Sequence, residues 1–239
     1  MLAITVGGWE ITAQYVFRGF IEGLTYGMVA LGLVLIYKAS GVVNFAQGQF
    51  GAFGALLMTL LSHNYGIPLG LGLPIAILCG AALGGITELL VVRRLFYQPR
   101  LLLFVATLGV SQLIIYLGFQ LPEPKNRGAQ LQYPELIRFD KPWAVGPVDI
   151  RGDQLSVLVV VPLVCAVLAY LLTRTKFGLS VRAAADNPNA ASLAGISVKK
   201  VSTQVWVLAG VLSSLSAVLF GPLSSEQASA AGNKGKDGR

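Results

Sequence analysis

Charged side chains are scarce in this sequence, and their scarcity excludes an ordinary soluble domain. Asp, Glu, Lys and Arg together make up only 12% of the 239 residues, whereas they account for about a quarter of a typical soluble domain. Hydrophobic residues reach 54%, and none of the four charged types occurs between residues 39 and 87. The composition therefore predicts an all-α integral membrane protein with several spans.

Cysteine and histidine are almost missing, which argues against most metal and nucleophilic chemistry. Cys79 and Cys165 each lie inside an apolar run, and His63 is the single histidine. No cluster of His, Cys and carboxylate side chains has the spacing of a metal site or of a nucleophile with its base. We therefore expect no disulfide, no metal, no cofactor and no catalytic residue for hydrolytic chemistry within this chain.

Basic residues outnumber acidic ones by 18 to 11 and give a net charge of +7. Such an excess is one mark of a nucleic-acid partner. Here, however, the Lys and Arg residues cluster at the ends of apolar runs, which is the pattern of cytoplasmic loops beside membrane helices. The charge distribution therefore predicts a lipid bilayer as the surroundings and no nucleic acid as a partner.

The apolar runs predict about six membrane-spanning helices within a transmembrane domain of residues 1–223. Their approximate bounds are 11–37, 45–61, 71–92, 101–121, 154–172 and 201–223. The first ten residues contain no Lys or Arg, so an ordinary signal peptide is not expected and the N-terminus is placed outside. The basic loops then lie in the cytoplasm. The loop 122–153, with a small hairpin over 143–150, lies outside, and residues 224–239 are expected to form a disordered tail.

Uncharged polar residues interrupt the start of the second span. Asn44, Gln47 and Gln49 stand among several glycines. Two interpretations are open: a broken helix whose backbone lines a cavity, or a polar, glycine-rich turn at the membrane interface. In the fourth span, Thr107 and Gln112 are polar residues that could face the interior of the helix bundle.

Two groups of charges lie near the ends of spans. Arg18 and Glu22 have the spacing of an ion pair one helical turn apart, but the favoured interpretation is that both are interfacial charges that extend toward water. Glu88 lies within a turn of Arg93 and Arg94. That arrangement predicts a structural ion pair and argues against a proton relay.

The longest polar interruption of the second half, residues 173–200, predicts short ordered helices. Asn187 has the position of a helix N-cap, and Pro188 has the first helical position after it. Gly195 stands where a left-handed C-terminal cap is expected, and Ser197 can cap the following span. The segment therefore predicts a rigid, basic surface in the cytoplasm.

Two stretches resemble the permeases of the branched-chain amino acid class of ABC importers. LTYGMVALGLVLIYKASGVVNFAQGQF (residues 24–50) resembles the first signature of that family, and RAAADNPNAASLAGISVKKV (residues 182–201) resembles its cytoplasmic coupling loop. The resemblance covers about residues 16–223. It implies one half of a transport pathway in the plasma (inner) membrane, with a broken second helix.

The resemblance also implies partners and site residues. The partners would be a sister permease subunit, two cytoplasmic ABC ATPase subunits and an external substrate-binding protein. The implied ATPase-coupling loop comprises Arg182, Ala183, Ala184, Ala185, Asn187, Pro188, Ala191, Leu193, Gly195 and Ile196. The implied substrate pathway comprises Tyr26, Asn44, Phe45, Gln47, Gly48, Gln49, Thr107 and Gln112.

The chain departs from the family pattern in two places. Gln49 stands where family members often carry Glu or another polar group, which puts a fixed gating carboxylate in doubt. Family members also continue past the counterpart of Leu223 with further helices, so the resemblance implies a C-terminally shortened chain.

Several functions remain open at this point. The expected substrates are branched-chain or related hydrophobic amino acids, and urea or short amides are the first alternative, because related permeases share these signatures. A truncated fragment that does not transport is the second. A channel or secondary transporter would require paired ionisable residues within the membrane, and only Glu22 and Glu88, both near span ends, approach that description.

Overall fold

The computed structural model of the chain describes residues 3–6, 9–96, 98–122, 136–137, 139, 143–145 and 148–234. Eight α-helices dominate the described part, with two short antiparallel hairpins. In chain order the elements are β1 (Ala3–Val6), β2 (Trp9–Thr12), α1 (Ala13–Ser40), α2 (Gln47–Tyr65), α3 (Leu69–Thr87), α4 (Arg100–Phe119), β3 (Trp143–Val145), β4 (Val148–Ile150), α5 (Gly152–Arg174), α6 (Lys176–Asp186), α7 (Pro188–Leu193) and α8 (Val198–Lys234). A π-helical turn, Glu88–Val92, continues α3.

Five helices in the described part are long and apolar enough to cross a membrane. They are Ala13–Ser40, Leu69–Val92, Arg100–Phe119, Gly152–Arg174 and Val198–Ser224. These helices confirm the predicted helical membrane fold. α2 has 19 residues but is more polar, since it begins with Gln47 and ends near His63. The sixth span therefore stays a prediction.

α1 ends at Ser40 because Gly41 adopts a left-handed conformation, with φ of 68°. The N–H of Gly41 donates to the Tyr37 carbonyl at 2.8 Å, which closes the last turn. A residue with a Cβ is disfavoured at such a φ. The chain leaves the helix here, and residues 41–46 connect it to α2 without helical structure.

α8 is the central helix of the bundle, and it packs against α1, α2 and α3. Its inward side chains are buried, as in Trp206, Ala209 and Leu212. The α3 contact depends on glycines, because a Cβ at Gly210 would overlap the Gly80 carbonyl oxygen. Small residues let membrane helices approach closely enough for their backbones to pack directly.

Serine hydroxyls of α8 bond to the backbones of its neighbours. Ser213 Oγ donates to the Gln47 carbonyl, and Ser214 Oγ donates to the Phe50 carbonyl at 3.3 Å, both in α2. Ser216 Oγ donates to the Thr25 carbonyl of α1 at 2.6 Å. All three serines are buried. In a medium without water, each hydroxyl needs such an internal acceptor.

Arg18 and Glu22 form an ion pair, which corrects the interpretation favoured from the sequence. Arg18 Nε lies 3.2 Å from Glu22 Oε1. Arg18 Nη2 also donates to the Leu223 carbonyl of α8 at 3.2 Å. α8 supplies a second acceptor for the guanidinium of Arg18. This acceptor is 205 residues away, so the sequence around Arg18 does not indicate it.

One of the two hairpins was predicted from the sequence and the other was not. The predicted hairpin over residues 143–150 is confirmed, since Trp143 pairs with Ile150 and Val145 with Val148. The hairpin of β1 and β2 was not predicted from the sequence. It takes up residues 11 and 12, so the first helix begins at Ala13 instead of near residue 11.

Two further segments bear on the expected boundaries. The Gln14 side chain bonds to the backbone N–H and C=O of Asp149 at 2.9 and 3.1 Å, which places the β3–β4 hairpin beside the start of α1.

At the C-terminal end of the described part, α8 continues to Lys234. The helix therefore extends into residues 224–234, where the sequence predicts a disordered tail. Ala, Gln and Glu in this stretch favour helix, and residues 235–239 lie outside the described part.

The close α3–α8 contact leads to a first prediction. We expect Gly210→Val to lower the free energy of unfolding by roughly 1–3 kcal/mol or more, because the added atoms meet backbone that cannot move aside alone. The measurement is the thermal unfolding midpoint of the purified chain in detergent. Gly109→Val in α4 is the matched control, since no heavy atom lies within 4 Å of a Cβ there. Equal midpoints for the two variants would contradict the glycine contact.

Candidate functional site

The polar break before α2 is ordered by Asn44, which is fully buried. Its Oδ1 accepts a hydrogen bond from the Ala46 N–H at 3.0 Å. Its Nδ2 donates to Gln47 Oε1 at 3.3 Å. Such a side-chain bond to the backbone two residues on stabilises a tight turn ahead of a helix. Asn44 therefore holds the start of α2 in place.

Gln47 connects α2 to the two helices on either side of it. Its Nε2 donates to the Ala209 carbonyl of α8 at 2.9 Å. The same nitrogen lies 2.5 Å from the position that a Cβ would take at Gly32 of α1. The absence of a side chain at Gly32 leaves the room that the Gln47 amide occupies. The structure thus places Asn44 and Gln47 within the helix packing, with their polar atoms bonded.

The residues next to Asn44 contact α4. The Phe45 N–H donates to Thr107 Oγ1 at 3.3 Å, and that hydroxyl donates to the Phe104 carbonyl at 2.9 Å. The Phe45 and Phe104 rings meet edge to face, with centroids 4.4 Å apart. Phe45 and Gly48 are exposed, whereas Thr107 is buried. The break is therefore held by α8 on one side and by α4 on the other.

The other three residues of the implied pathway have different surroundings. Gln49 is half-buried and lines a cavity of about 280 Å³ between α2 and α4, with Phe53 and Ile114. Gln112 is exposed on α4. Tyr26 is exposed on α1 and packs on Phe220 of α8, with ring centroids 5.4 Å apart. The structure thus groups residues 44–49 with Thr107, and it places Tyr26 and Gln112 on exposed helix surfaces.

A second candidate surface is formed by α6 and α7, which connect α5 to α8. α6 packs against the end of α5 so closely that a Cβ at Gly178 would overlap the Leu172 carbonyl oxygen. Val181 and Ala184 of α6 are buried. The position of α6 is therefore determined by its contact with the membrane helices.

α7 is capped at both ends, which confirms the predicted local structure. Asn187 Oδ1 accepts from the N–H groups of Asn189 and Ala190 at 3.1 and 3.0 Å, and Pro188 is the first helical residue. At the other end, Gly195 has φ of 83°. The N–H of Gly195 donates to the Ser192 carbonyl at 3.0 Å, and that of Ile196 to the Ala191 carbonyl at 2.9 Å. This pair of bonds is the Schellman motif.

Most residues of the implied coupling loop on α6 and α7 are exposed. Leu193 is 91% exposed, although leucine is an apolar side chain. Ala184 and Ala191 are buried, and Ala183 and Ile196 are half-buried. The remaining residues of the implied coupling loop are exposed: Arg182, Ala185, Asn187, Pro188 and Gly195.

A cavity of about 480 Å³ beside α7 was not predicted from the sequence. It is lined by Asn189 and Ser192 of α7 and by Glu88 and Arg93. Glu88 is 2% exposed, and its Oε2 accepts from Arg93 Nη2 at 3.0 Å and from Thr203 Oγ1 at 2.8 Å. The Glu88–Arg93 pair follows from sequence spacing. Thr203, which is 115 residues from Glu88, leaves no local signal.

These geometries contain no catalytic arrangement in the described residues. No group of three or more His, Cys, Asp or Glu side chains in that part of the chain could hold a metal ion. What the arrangement does supply is a polar break between α1 and α2, joined through α8 to a capped surface helix.

Comparison with known proteins agrees with this architecture. The probable branched-chain amino acid transport permease protein LivH of Methanocaldococcus jannaschii is 29% identical over 210 residues, which cover 86% of this chain and 65% of the relative. The high-affinity branched-chain amino acid transport system permease protein LivH of Escherichia coli K12 is 26% identical over 221 residues, covering 87% and 70%.

A sugar transport protein is also similar. The fructose import permease protein FrcC of Rhizobium meliloti is 28% identical over 206 residues, covering 83% of this chain and 54% of the relative. The chain thus spans slightly less than two thirds of the archaeal permease and about half of the fructose permease. No solved structure matches the chain.

The family model described as "Branched-chain amino acid transport system / permease component" matches residues 15–232. That range contains both sequence signatures, all the candidate membrane spans beyond the first two residues of α1, and both candidate surfaces. The chain belongs to this family of multi-pass membrane permease components.

Proposed function

We propose that the chain is the membrane-spanning permease subunit of an ATP-driven ABC importer for branched-chain or related hydrophobic amino acids. The observation that carries the proposal is the family match over residues 15–232. The names of the archaeal and E. coli relatives support the substrate class.

The proposed surroundings are the plasma (inner) membrane, with six spans and the N-terminus outside. α2 is the sixth span, because its 19 residues reach about 28 Å, close to the hydrocarbon thickness of a bilayer. α6 and α7 then face the cytoplasm. The exposed basic residues at this end support the orientation: Arg94, Arg100, Arg174, Lys176, Arg182, Lys199 and Lys200.

The proposed partners follow from the family. A sister permease completes the pathway, an external binding protein delivers the substrate, and two cytoplasmic ATPase subunits bind below. In this proposal α7 seats in a cleft of an ATPase, and Leu193 is the apolar anchor. The capped, rigid form of α7 supports this role, because a helix that frays would absorb the movement that it has to transmit.

The contacts provide two routes by which movement of α7 reaches the membrane. α8 begins at Val198, directly after the Gly195 cap, so a displacement of α7 pulls on α8. Glu88 at the end of α3 bonds to Thr203 of α8, so the end of α3 is displaced as well. These helices pack directly on each other, which favours a rigid-body movement.

In the same proposal, residues 44–49, Thr107, Tyr26 and Gln112 border the substrate pathway. The Gln47–Ala209 hydrogen bond joins α2 to α8 in the structure. Movement of α8 would break it and free the Gln47 amide for a substrate. An uncharged amide suits a pathway for a zwitterion better than a strongly binding fixed charge, since the substrate must leave again.

A second candidate substrate class is a monosaccharide. The observation that favours it is the similarity to the fructose import permease of Rhizobium meliloti at 28% identity. Uptake measurements separate the candidates. The chain is co-expressed with its cognate ATPase, sister permease and binding protein, and uptake of labelled leucine, urea and fructose is compared.

We expect energy-dependent uptake of leucine and no uptake of urea or fructose above the level of cells that lack this chain. A pull-down from detergent accompanies the assay and shows whether the complex forms. Uptake of fructose alone would replace the substrate class and leave the permease role intact. A defined complex with no energy-dependent uptake of any of the three would count against the proposal, and so would failure to recover a complex.

The cap of α7 generates a second prediction. We expect Gly195→Val to lower substrate-stimulated ATP hydrolysis by about tenfold, because a β-branched residue at positive φ costs roughly 1–2 kcal/mol and distorts the end of α7. ATP hydrolysis by the reconstituted complex is the measurement. Gly195→Asn is the matched control, since asparagine tolerates this conformation. Unchanged stimulation in the valine variant would remove the argument for coupling through the cap.

The polar break generates a third prediction. We expect Asn44→Ala and Gln47→Ala to reduce leucine uptake at least about fivefold, since each leaves a buried polar partner unbonded at a cost of about 1–3 kcal/mol. Recovery of the complex by pull-down should be unchanged. Gln120→Ala at the exposed end of α4 is the control. If uptake by the variants equals that of the parent, residues 44–47 are a structural turn only.

A further inference from the structure

A basic cavity lies at the end of the bundle that carries α6 and α7. Its volume is about 780 Å³. Three separate elements each contribute a cation to its lining: Lys38 comes from the last turn of α1, Arg100 is the first residue of α4, and Arg182 belongs to α6. Asp186 is the one acid among the described lining residues.

The three cations have no partner of their own in the part of the chain that the structure describes. No side-chain hydrogen bond or ion pair joins Lys38, Arg100 or Arg182 to another described group. Arg100 Nη2 lies 3.9 Å from where a Cβ would be at Gly41, which places the guanidinium beside the end of α1. Three like charges around one cavity repel each other. An anion in the cavity would relieve that repulsion.

The position of the cavity indicates which anion. Lys38 and Arg100 mark the ends of two helices that are long and apolar enough to cross a membrane. The lining includes Tyr37, 50% exposed, and Phe96, 43% exposed. Tyrosine is enriched at the level of lipid headgroups, where its ring is apolar and its hydroxyl reaches water. Next to Arg100, Leu101 is 73% exposed and offers an apolar surface to acyl chains.

We propose that this cavity binds the phosphate of an anionic phospholipid headgroup, with the acyl chains along the exposed apolar faces of α1 and α4. Two guanidinium groups and an ammonium supply the charge-assisted donors that a phosphate accepts. Basic cavities between membrane helices are favourable sites for anionic headgroups. Because the three cations come from three elements, the lipid joins α6 to the membrane helices. The inference goes beyond transport and does not depend on the substrate.

The test uses the full chain alone, purified in detergent and titrated with fluorescent phosphatidylglycerol. The cavity variant combines Lys38→Gln, Arg100→Gln and Arg182→Gln. The matched control removes the same number of exposed cations from the same end of the bundle but outside the cavity, by Arg94→Gln, Arg174→Gln and Lys200→Gln. A charge-conserving variant with Lys38→Arg, Arg100→Lys and Arg182→Lys guards against loss of folding.

We expect the cavity variant to lose about a hundredfold in affinity, because each cation near an anionic lipid contributes about fivefold. The control should lose less than about threefold, because salt screens exposed charges that lie outside the cavity. The charge-conserving variant should bind like the parent. Fluorescent phosphatidylcholine, which is zwitterionic, should bind far more weakly than phosphatidylglycerol to the parent chain.

Three outcomes would overturn the proposal. Equal losses in the cavity and control variants would mean a diffuse basic surface. Displacement of phosphatidylglycerol by millimolar inorganic phosphate would mean a site for small anions. Unchanged lipid affinity in the cavity variant, together with loss of the ATPase in a pull-down, would mean that the cations bind an acidic surface of the partner. Because lipid binding is measured without the partners, failure of the transport proposal would not imitate any of these results.

Discussion

The packing of α8 against α2 and α3 at backbone distance is the constraint on which the rest of the structure depends. Lipid tails are as apolar as leucine, so burial of apolar side chains does little to hold membrane helices together. Close packing and hydrogen bonds must do so. Gly80 and Gly210 allow the backbones of α3 and α8 to meet, and Ser213 and Ser214 then reach the carbonyl groups of α2. One bulky residue in this contact would separate several bonds at once.

Because of this packing, the two candidate surfaces share one helix. The Ala209 carbonyl of α8 accepts the bond from Gln47 at the polar break. At its start, α8 follows the Gly195 cap of α7 and bonds through Thr203 to Glu88. A movement that begins at α7 therefore has a short mechanical route to residues 44–49. The basic cavity of Lys38, Arg100 and Arg182 adjoins the same end, which would let a lipid headgroup hold α6 while α7 moves.

Local features could be predicted from the sequence, and features that join distant segments could not. Asn187, Pro188 and Gly195 have their predicted positions because capping depends on neighbours in sequence. The 143–150 hairpin is confirmed for the same reason. The interpretation of Arg18 and Glu22 as interfacial charges was wrong, because the Leu223 carbonyl of α8 also binds Arg18. The helical extension of α8 to Lys234 was also not predicted.

By itself, the sequence determined the membrane class, the capped form of α7 and the family. Each of these depends on composition, on periodicity or on contacts a few residues apart. Only the tertiary structure decided what Asn44 and Gln47 do, since the Ala209 carbonyl that accepts from Gln47 is 162 residues away. It also decided that Lys38, Arg100 and Arg182 line one cavity. Which backbones and charges meet depends on how helices pack, and a single sequence does not contain that information in its local pattern.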